Sequence, residues 1–250
     1  MFNVIIKNGT VIDGTGNPRY RADVGIKNGK IADIGDLSNE LTEESIDARG
    51  QLVVPGFIDV NNHSDTYWRI FATPTLDSLV RQGITTIIGG NCGSSLAPLV
   101  NKDIIQSIQK WVDVSNFSLN WLRMGEFLDE VERKQLSVNF GTLVGHGTLR
   151  RGITHDENRL LNEVELESAK KMLKDALREG ALGMSSGLIY THARSATREE
   201  LIQLAEVVSK NDGVYATHVR GESRGLTSSI EEAIEVAKQS GVKLHISHLK

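Results

Sequence analysis

The sequence predicts an α/β fold, a TIM-like (β/α) barrel that is incomplete at about six strands, preceded by a β-rich segment. Three observations predict it. From residue 51 onward, short apolar runs rich in β-formers alternate with helical patterns, the rhythm of parallel βαβ units. The later runs recur at about thirty residues, the size of one such unit. Residues of metal-ligating type stand at the predicted C-terminal ends of successive strands, which a barrel gathers on one rim and a doubly wound sheet does not.

The β-rich segment comes first. Residues 3–6 and 10–12 flank Asn8-Gly9, residues 22–26 and 30–34 flank Asn28-Gly29, and a further short β stretch surrounds Ile46. Asn-Gly between short apolar runs is a hairpin signal, so two hairpins are expected. The barrel strands are expected at residues 53–60, 84–88, 138–144, 181–185, 214–217 and 244–247. Leu166, Ala169, Met172, Leu173, Ala176 and Leu177 make one helical face, closed by Gly180 as a C-cap. Thr197 with Glu200 reads as a capping box ahead of the stripe Leu201, Leu204, Ala205, Val208. Ile230, Ala233, Ile234 and Ala237 form the next stripe, stopped by Gly241. The division is therefore residues 1–54 and residues 55–250. A closed barrel needs eight strands, so two βα units are missing from this reading.

Composition bounds the function. With 28 Lys and Arg against 32 Asp and Glu, the net charge of −4 is spread without a basic stripe, which argues against a nucleic-acid partner. No run approaches the roughly 20 apolar residues that span a bilayer, and the first residues lack the pattern of a secretory signal. Cys92 is the only cysteine, so no internal disulfide can form, as in a reducing, cytoplasmic setting.

Cys92 in Gly-Gly-Asn-Cys-Gly, His218 in Tyr-Ala-Thr-His-Val-Arg and His248 in His-Ile-Ser-His-Leu-Lys each follow a predicted strand, as does His63. One thiolate, two imidazoles and an open position describe a catalytic zinc site, and the chain reads as a metal-dependent hydrolase. The glycines around Cys92 permit the sharp backbone turn that a ligand loop needs. His245 lies on the opposite strand face from His248 and is expected to pack. His146 stands between lining the pocket and packing, and His155 and His192 fall in loops. Asp59 and Asp65 flank His63, and either could be a carboxylate orienting an imidazole; Asp65 could instead cap a helix or turn. Arg220 and Lys250, each two residues past a ligand candidate, are either partners for a substrate carboxylate or solvated rim charges.

These segments together resemble the amidohydrolase superfamily and, within it, the N-acyl-D-amino-acid deacylases (D-aminoacylases). The resemblance runs through nearly the whole chain: Ile-Lys-Asn-Gly-Thr-Val-Ile-Asp-Gly from Ile6, Val-Pro-Gly-Phe-Ile-Asp-Val from Val54, Gly-Ile-Thr-Thr-Ile-Ile-Gly-Gly-Asn-Cys-Gly from Gly83, Gly-His-Gly-Thr-Leu-Arg from Gly145, Gly-Ala-Leu-Gly-Met-Ser-Ser-Gly-Leu-Ile-Tyr from Gly180, Val-Tyr-Ala-Thr-His-Val-Arg from Val214 and Ile-Ser-His-Leu-Lys from Ile246. The first two occur across amidohydrolases; the Asn-Cys-Gly and Ser-Ser-Gly-Leu-Ile-Tyr segments are far more specific to the deacylases.

The resemblance implies a zinc-dependent hydrolysis of N-acyl-D-amino acids, small-molecule substrates, to a carboxylate and a D-amino acid. It implies a barrel joined to a small β-sandwich made from both chain ends, of which residues 1–54 would be part. By resemblance Cys92, His218 and His248 hold the zinc, His63 matches the second histidine of a His-x-His pair, and Tyr190 and Lys250 contact substrate. Two departures stand out. Asn61 occupies the place of the first His-x-His histidine. The catalytic aspartate of the resemblance lies on the last barrel strand, beyond Lys250, and no residue here matches it, so the chain is expected to be the N-terminal half of a longer protein. The competing expectations are a cyclic-amide hydrolase of the dihydroorotase or hydantoinase kind, and an inactive fragment that only binds metal.

Overall fold

The computed structural model of the protein describes residues 1–108, 117 and 119–249. It divides into two compact units, Met1–Phe57 and Ile58–Lys250.

The first unit is built on one sheet. Strands β1 (Phe2–Val11), β2 (Tyr20–Lys27), β3 (Lys30–Gly35) and β4 (Thr42–Asp47) lie in the order β3-β2-β1-β4, and β5 (Leu52–Val53) pairs with β1. Asn28 and Gly29, both at positive φ (53° and 71°), turn β2 into antiparallel β3 as the sequence predicts. Asn8-Gly9 does something else. β1 runs through it as one ten-residue strand, Asn8 sits at φ 63°, and the β1–β2 register shifts between Ile6 and Gly9. The pair is a bulge, not a turn. Neighbouring carboxylates hold it: the Asn8 N–H donates to Asp23 Oδ1 at 2.8 Å and its amide to Asp47 Oδ1 at 2.9 Å, satisfying groups the broken ladder leaves over.

The second unit alternates strand and helix. Its strands are β6 (Phe57–Asp59, which carries the unit boundary), β7 (Ile84–Gly89), β8 (Asn139–Thr142), β9 (Val144–Gly145), β10 (Gly183–Gly187), β11 (Val214–His218) and β12 (Lys243–Ile246). Its helices are α1 (Arg69–Ala72), α2 (Asp77–Val80), α3 (Ile104–Ile108), α4 (Met124–Arg133), α5 (His146–Thr154), α6 (Glu163–Arg178), α7 (Thr191–Arg194), α8 (Arg198–Lys210) and α9 (Leu226–Ser240). The sheets run β6-β7-β8 and β9-β10-β11-β12, and only Leu143 separates β8 from β9. The ladders β7–β8, β9–β10, β10–β11 and β11–β12 are parallel. Spatial order follows chain order with no reversal among the described strands. A doubly wound sheet reverses at its switch point; a barrel wall does not, and this succession is consistent with part of a (β/α) barrel.

Helix ends and faces explain the packing. α6 begins at Asn162, whose side chain accepts from Glu165 N at 2.9 Å while Glu165 returns to Asn162 N, a reciprocal cap. It ends on Gly180 at φ 114°, with Gly180 N bonded to Leu177 O and Ala181 N to Ala176 O at 3.0 Å. That motif uses Ala181, so β10 starts at Gly183, two residues later than the sequence suggests. Ala169, Leu173 and Ala176 of α6 meet Leu201, Leu204, Ala205 and Val208 of α8, all buried. On α9 the buried residues are Ser229, Ala233 and Val236, and Ile234 is 39% exposed. Packing therefore covers Val236 and leaves Ile234 of the predicted stripe exposed, since close packing rather than apolar count decides which face is covered.

Candidate metal centre

Strand ends position the candidate ligands. His218 is the last residue of β11, His248 stands two residues past β12, and Cys92 three past β7. Their donor atoms all lie within 4.8 Å of one another, with Cys92 and His218 buried and His248 exposed. Cys92 Sγ is 3.4 Å from His248 Nε2, and the His218 and His248 rings meet edge to face at 4.2 Å. In a tetrahedral zinc site, bonds of about 2.3 Å to sulfur and about 2.0–2.1 Å to nitrogen put two donors about 3.5 Å apart. The Cys92 and His248 donors thus already stand at ligand spacing, and the donor set fits zinc.

The loop carrying Cys92 is held by several elements. Gly90, Cys92 and Gly93 all have positive φ (69°, 53° and 78°). A Cβ at Gly90 would collide with the Leu143 carbonyl, and one at Gly187 with the Cys92 carbonyl; only glycine permits these approaches. Cys92 adopts the left-handed region without that freedom, at a cost of about 1–2 kcal/mol. The buried Asp65 carboxylate accepts from Gly90 N at 2.7 Å, tying the segment after β6 to this loop. Asn91, fully buried, donates to Ile88 O at 2.7 Å. Ser95 Oγ accepts from Gly145 N at 2.9 Å, and Thr148 N donates to Gly93 O at 3.1 Å.

His218 Nε2 lies 3.0 Å from Glu222 Oε1, and its Nδ1 lies 3.4 Å from the Tyr190 hydroxyl. A carboxylate on one imidazole nitrogen fixes ring orientation and tautomer. Tyr190, at the N-terminus of α7, has its phenol pKa raised, by burial first and then by the negative charges of Cys92 and Glu222. It stays protonated at neutral pH and can donate.

The remaining predicted residues fall as follows. His63, four residues past β6, is outside the 4.8 Å group. Among the described residues the buried Asn61 Oδ1 has no hydrogen-bond partner, and Asp59 accepts from Asn61 N at 3.1 Å and Asn62 Nδ2 at 2.8 Å, capping its own turn. Lys250 lies outside the described residues. Arg220 grips Glu232 through two nitrogens and donates to the Arg194 and Ala196 carbonyls, so it secures α9 and the α7 end and is committed away from a substrate. His245 is half-buried on β12, and His155 caps α5 at φ 52°.

His146 and Glu200 were open or misread from sequence. His146 is fully buried with Nε2 2.8 Å from Glu200 Oε1. Thr197 does cap α8, accepting from Glu200 N at 3.1 Å. The Glu200 carboxylate, however, does not complete a capping box: it turns inward to His146 and to Arg150 Nη1, 2.7 and 2.5 Å away. A buried guanidinium and a buried imidazole hold the carboxylate in preference to one exposed backbone amide.

His192 of α7 stacks on Tyr190 with ring centroids 6.0 Å apart. Burial, joined by the charges of Arg151, His146 and Arg150, pushes its pKa down from 6.5 to about 3. An unfolded His192 takes up a proton near 6.5 that the folded ring refuses until about 3; this group therefore costs stability progressively as pH falls from 6.5 toward 3. The expected result is an imidazole whose NMR shifts stay flat from about pH 8 to about pH 5. A midpoint inside that range would mean the ring is solvated.

A family model described as amidohydrolase family matches residues 44–250, and one described as urease alpha-subunit, N-terminal domain, matches residues 1–59. A D-aminoacylase of Alcaligenes xylosoxydans xylosoxydans is 34% identical over 100% of this chain and 51% of its own length; an N-acyl-D-aspartate deacylase of the same organism is 35% identical over 98% and 49%. The crystal structure of N-acyl-D-glutamate deacylase from Bordetella bronchiseptica, complexed with zinc and a phosphonate mimic of the tetrahedral intermediate, matches at TM-score 0.90 and 31% identity, covering 100% of this chain and 52% of that one. A D-aminoacylase crystal structure matches at TM-score 0.88 and 34% identity, with the same coverage. An L-hydantoinase from Arthrobacter aurescens, at TM-score 0.65 and 20% identity, shares the fold. The chain spans about half the length of the curated relatives it matches. No described helix is long and apolar enough to cross a membrane. By the match over residues 44–250 the chain belongs to the amidohydrolase family, and along its whole length it is similar to about half of each of several N-acyl-D-amino-acid deacylases.

Proposed function

We propose that this chain carries the zinc-binding part of an N-acyl-D-amino-acid deacylase, a hydrolase acting on linear, non-peptide amides in a reducing, cytoplasmic setting. The observation that carries the reading is the convergence of Cys92, His218 and His248 donors within 4.8 Å at three strand ends. Similarity to deacylases of D-aminoacyl, D-aspartyl and D-glutamyl substrates supports the substrate class. A partial (β/α) barrel and one part of a β-sandwich complete the reading of the two units.

Cys92, His218 and His248 would hold the zinc, with His63 beside a second, weaker position where Asn61 offers a carbonyl oxygen instead of an imidazole. Zinc would polarise the scissile carbonyl and lower the pKa of water toward about 7. The chain's own groups do the positioning. Glu222 orients the His218 ring. Tyr190, kept protonated, donates a hydrogen bond to a substrate oxygen at the rim. Lys250 pairs with the substrate carboxylate, fixing which face of the chiral carbon meets the site. The proton-transferring carboxylate is expected outside this chain.

A cyclic-amide hydrolase is the weaker reading. D-hydantoinase similarity covers 44% of the chain, and the hydantoinase structures share its fold alone. The test is hydrolysis of paired N-acetyl-D- and N-acetyl-L-amino acids by the 250-residue chain and by a full-length form. Chelator-sensitive release of the D-amino acid, with the L-enantiomer at least about tenfold slower (about 1.4 kcal/mol), is expected of the form that contains the carboxylate. Equal rates for both enantiomers, or opening of a hydantoin ring alone, would sink the reading.

A further inference from the structure

Ser185 pairs with Gly145 of β9 on one side and Ala216 of β11 on the other. Positions 145 and 185 are ladder partners in parallel strands and face the same way, and 187 follows 185 on that face. Two of the three are glycines, and the Cys92 loop presses into the space they leave. A Cβ at Gly145 would come within 2.7 Å of Gly93 O and Ser95 N. Ser185 is the one side chain on this patch. It is fully buried, its Oγ accepts from Gly93 N at 2.9 Å, and it donates to Gly90 O.

We propose that Ser185 is the positioning residue for Cys92: its hydroxyl bridges the backbone on both sides of the cysteine and holds the sulfur at metal-binding spacing from His248. The proposal rests on the reading of Cys92 as a ligand. Its physical content is that the loop cannot hold itself. Gly90, Cys92 and Gly93 all occupy left-handed backbone, and two of them are the residues with the most conformational entropy to lose. A donor and an acceptor on one rigid strand fix both ends of that turn, a preorganisation on which ligand geometry depends.

Ser186 supplies the control. It is as buried as its neighbour, but its Oγ bonds Tyr215 and Thr217 at 2.7 and 2.8 Å, away from the loop. The experiment compares the wild-type chain with Ser185→Ala, Ser185→Thr and Ser186→Ala. It titrates cobalt(II) against the near-ultraviolet thiolate-to-cobalt band and zinc by competition with a chromophoric chelator. Ser185→Ala is expected to lose about ten- to a hundredfold in affinity, the usual effect of an outer hydrogen-bond partner, with a weakened band. Ser185→Thr, which keeps the hydroxyl, and Ser186→Ala are expected to bind as the wild type does, even where their melting temperatures fall. Unchanged affinity and band in Ser185→Ala overturn the proposal, and so does an equal loss in Ser186→Ala. If Ser185→Ala does not fold, Ser185→Thr decides, because a folded Thr variant that binds weakly overturns it too. A wild-type chain with no thiolate band sinks the ligand reading itself, and the positioning role with it.

Discussion

Replacing Cys92 by alanine is expected to weaken zinc binding by more than a hundredfold. Zinc held by four protein donors binds with about 10–16 kcal/mol, so one donor is worth about 3 kcal/mol, and the thiolate is the only anionic donor in the trio. What remains is His218, buried, and His248, exposed, neither offering charge to a divalent cation. The effect reaches stability by linkage. A metal that binds only the folded state adds RT ln(1 + [metal]/Kd), so zinc should raise the melting temperature of the wild type and leave that of Cys92→Ala almost unmoved at equal zinc. The substitution keeps the left-handed backbone at position 92 (φ 53°), so the metal-free forms should melt close together. An alanine variant that retains zinc and melts with the same zinc-dependent shift would remove Cys92 from the centre and reduce it to a buried small hydrophobe.

The convergence of Cys92, His218 and His248 was legible because strand-end placement turns a sequence position into a place. A residue just past a parallel strand lies on one rim, so locating the strands located Cys92, His218 and His248 without any long-range information. Local chemistry was legible for the same reason: Gly180 and Asn28-Gly29 act through their own φ angles. What the sequence hid depends on partners far along the chain. Asn8-Gly9 carries a turn signal, yet Asp23 and Asp47 make it a bulge inside β1. Glu200 completes a capping-box pattern, yet its carboxylate goes to His146 and Arg150, 54 and 50 positions away. Arg220 sits two residues past a ligand, as a substrate-binding cation would, and is claimed by Glu232. Ser185 lies in the Ser-Ser-Gly-Leu-Ile-Tyr segment, but a serine that fastens a neighbouring loop looks like any strand serine until the loop is placed.

Glu200→Gln is expected to cost about 3–5 kcal/mol, the usual penalty for leaving one half of a buried ion pair. Arg150 is 1% exposed and Glu200 5%, and the guanidinium also donates to the Arg159 carbonyl and to Ser195 Oγ at 2.8 Å. Those neutral acceptors cannot balance its charge. Against a total of about 5–15 kcal/mol, the loss should lower the melting temperature by roughly 10 °C in a domain of this size. The pH dependence identifies the cause. Burial alone would raise the Glu200 carboxyl, but the hydrogen bonds and charges of His146 and Arg150 outweigh it and hold the group below its usual value of 4.5. A carboxyl lowered on folding stabilises fully above its unfolded pKa and loses that contribution as pH falls through its folded pKa. Wild type and Glu200→Gln should therefore differ at neutral pH and converge well below pH 4.5. A Glu200→Leu, Arg150→Met double variant should recover much of the loss, because well-packed apolar side chains often replace a buried pair without cost. If Glu200→Gln unfolds with wild-type stability at neutral pH, the carboxylate is a passive passenger of α8, and the tie between α5 and α8 is carried by packing alone.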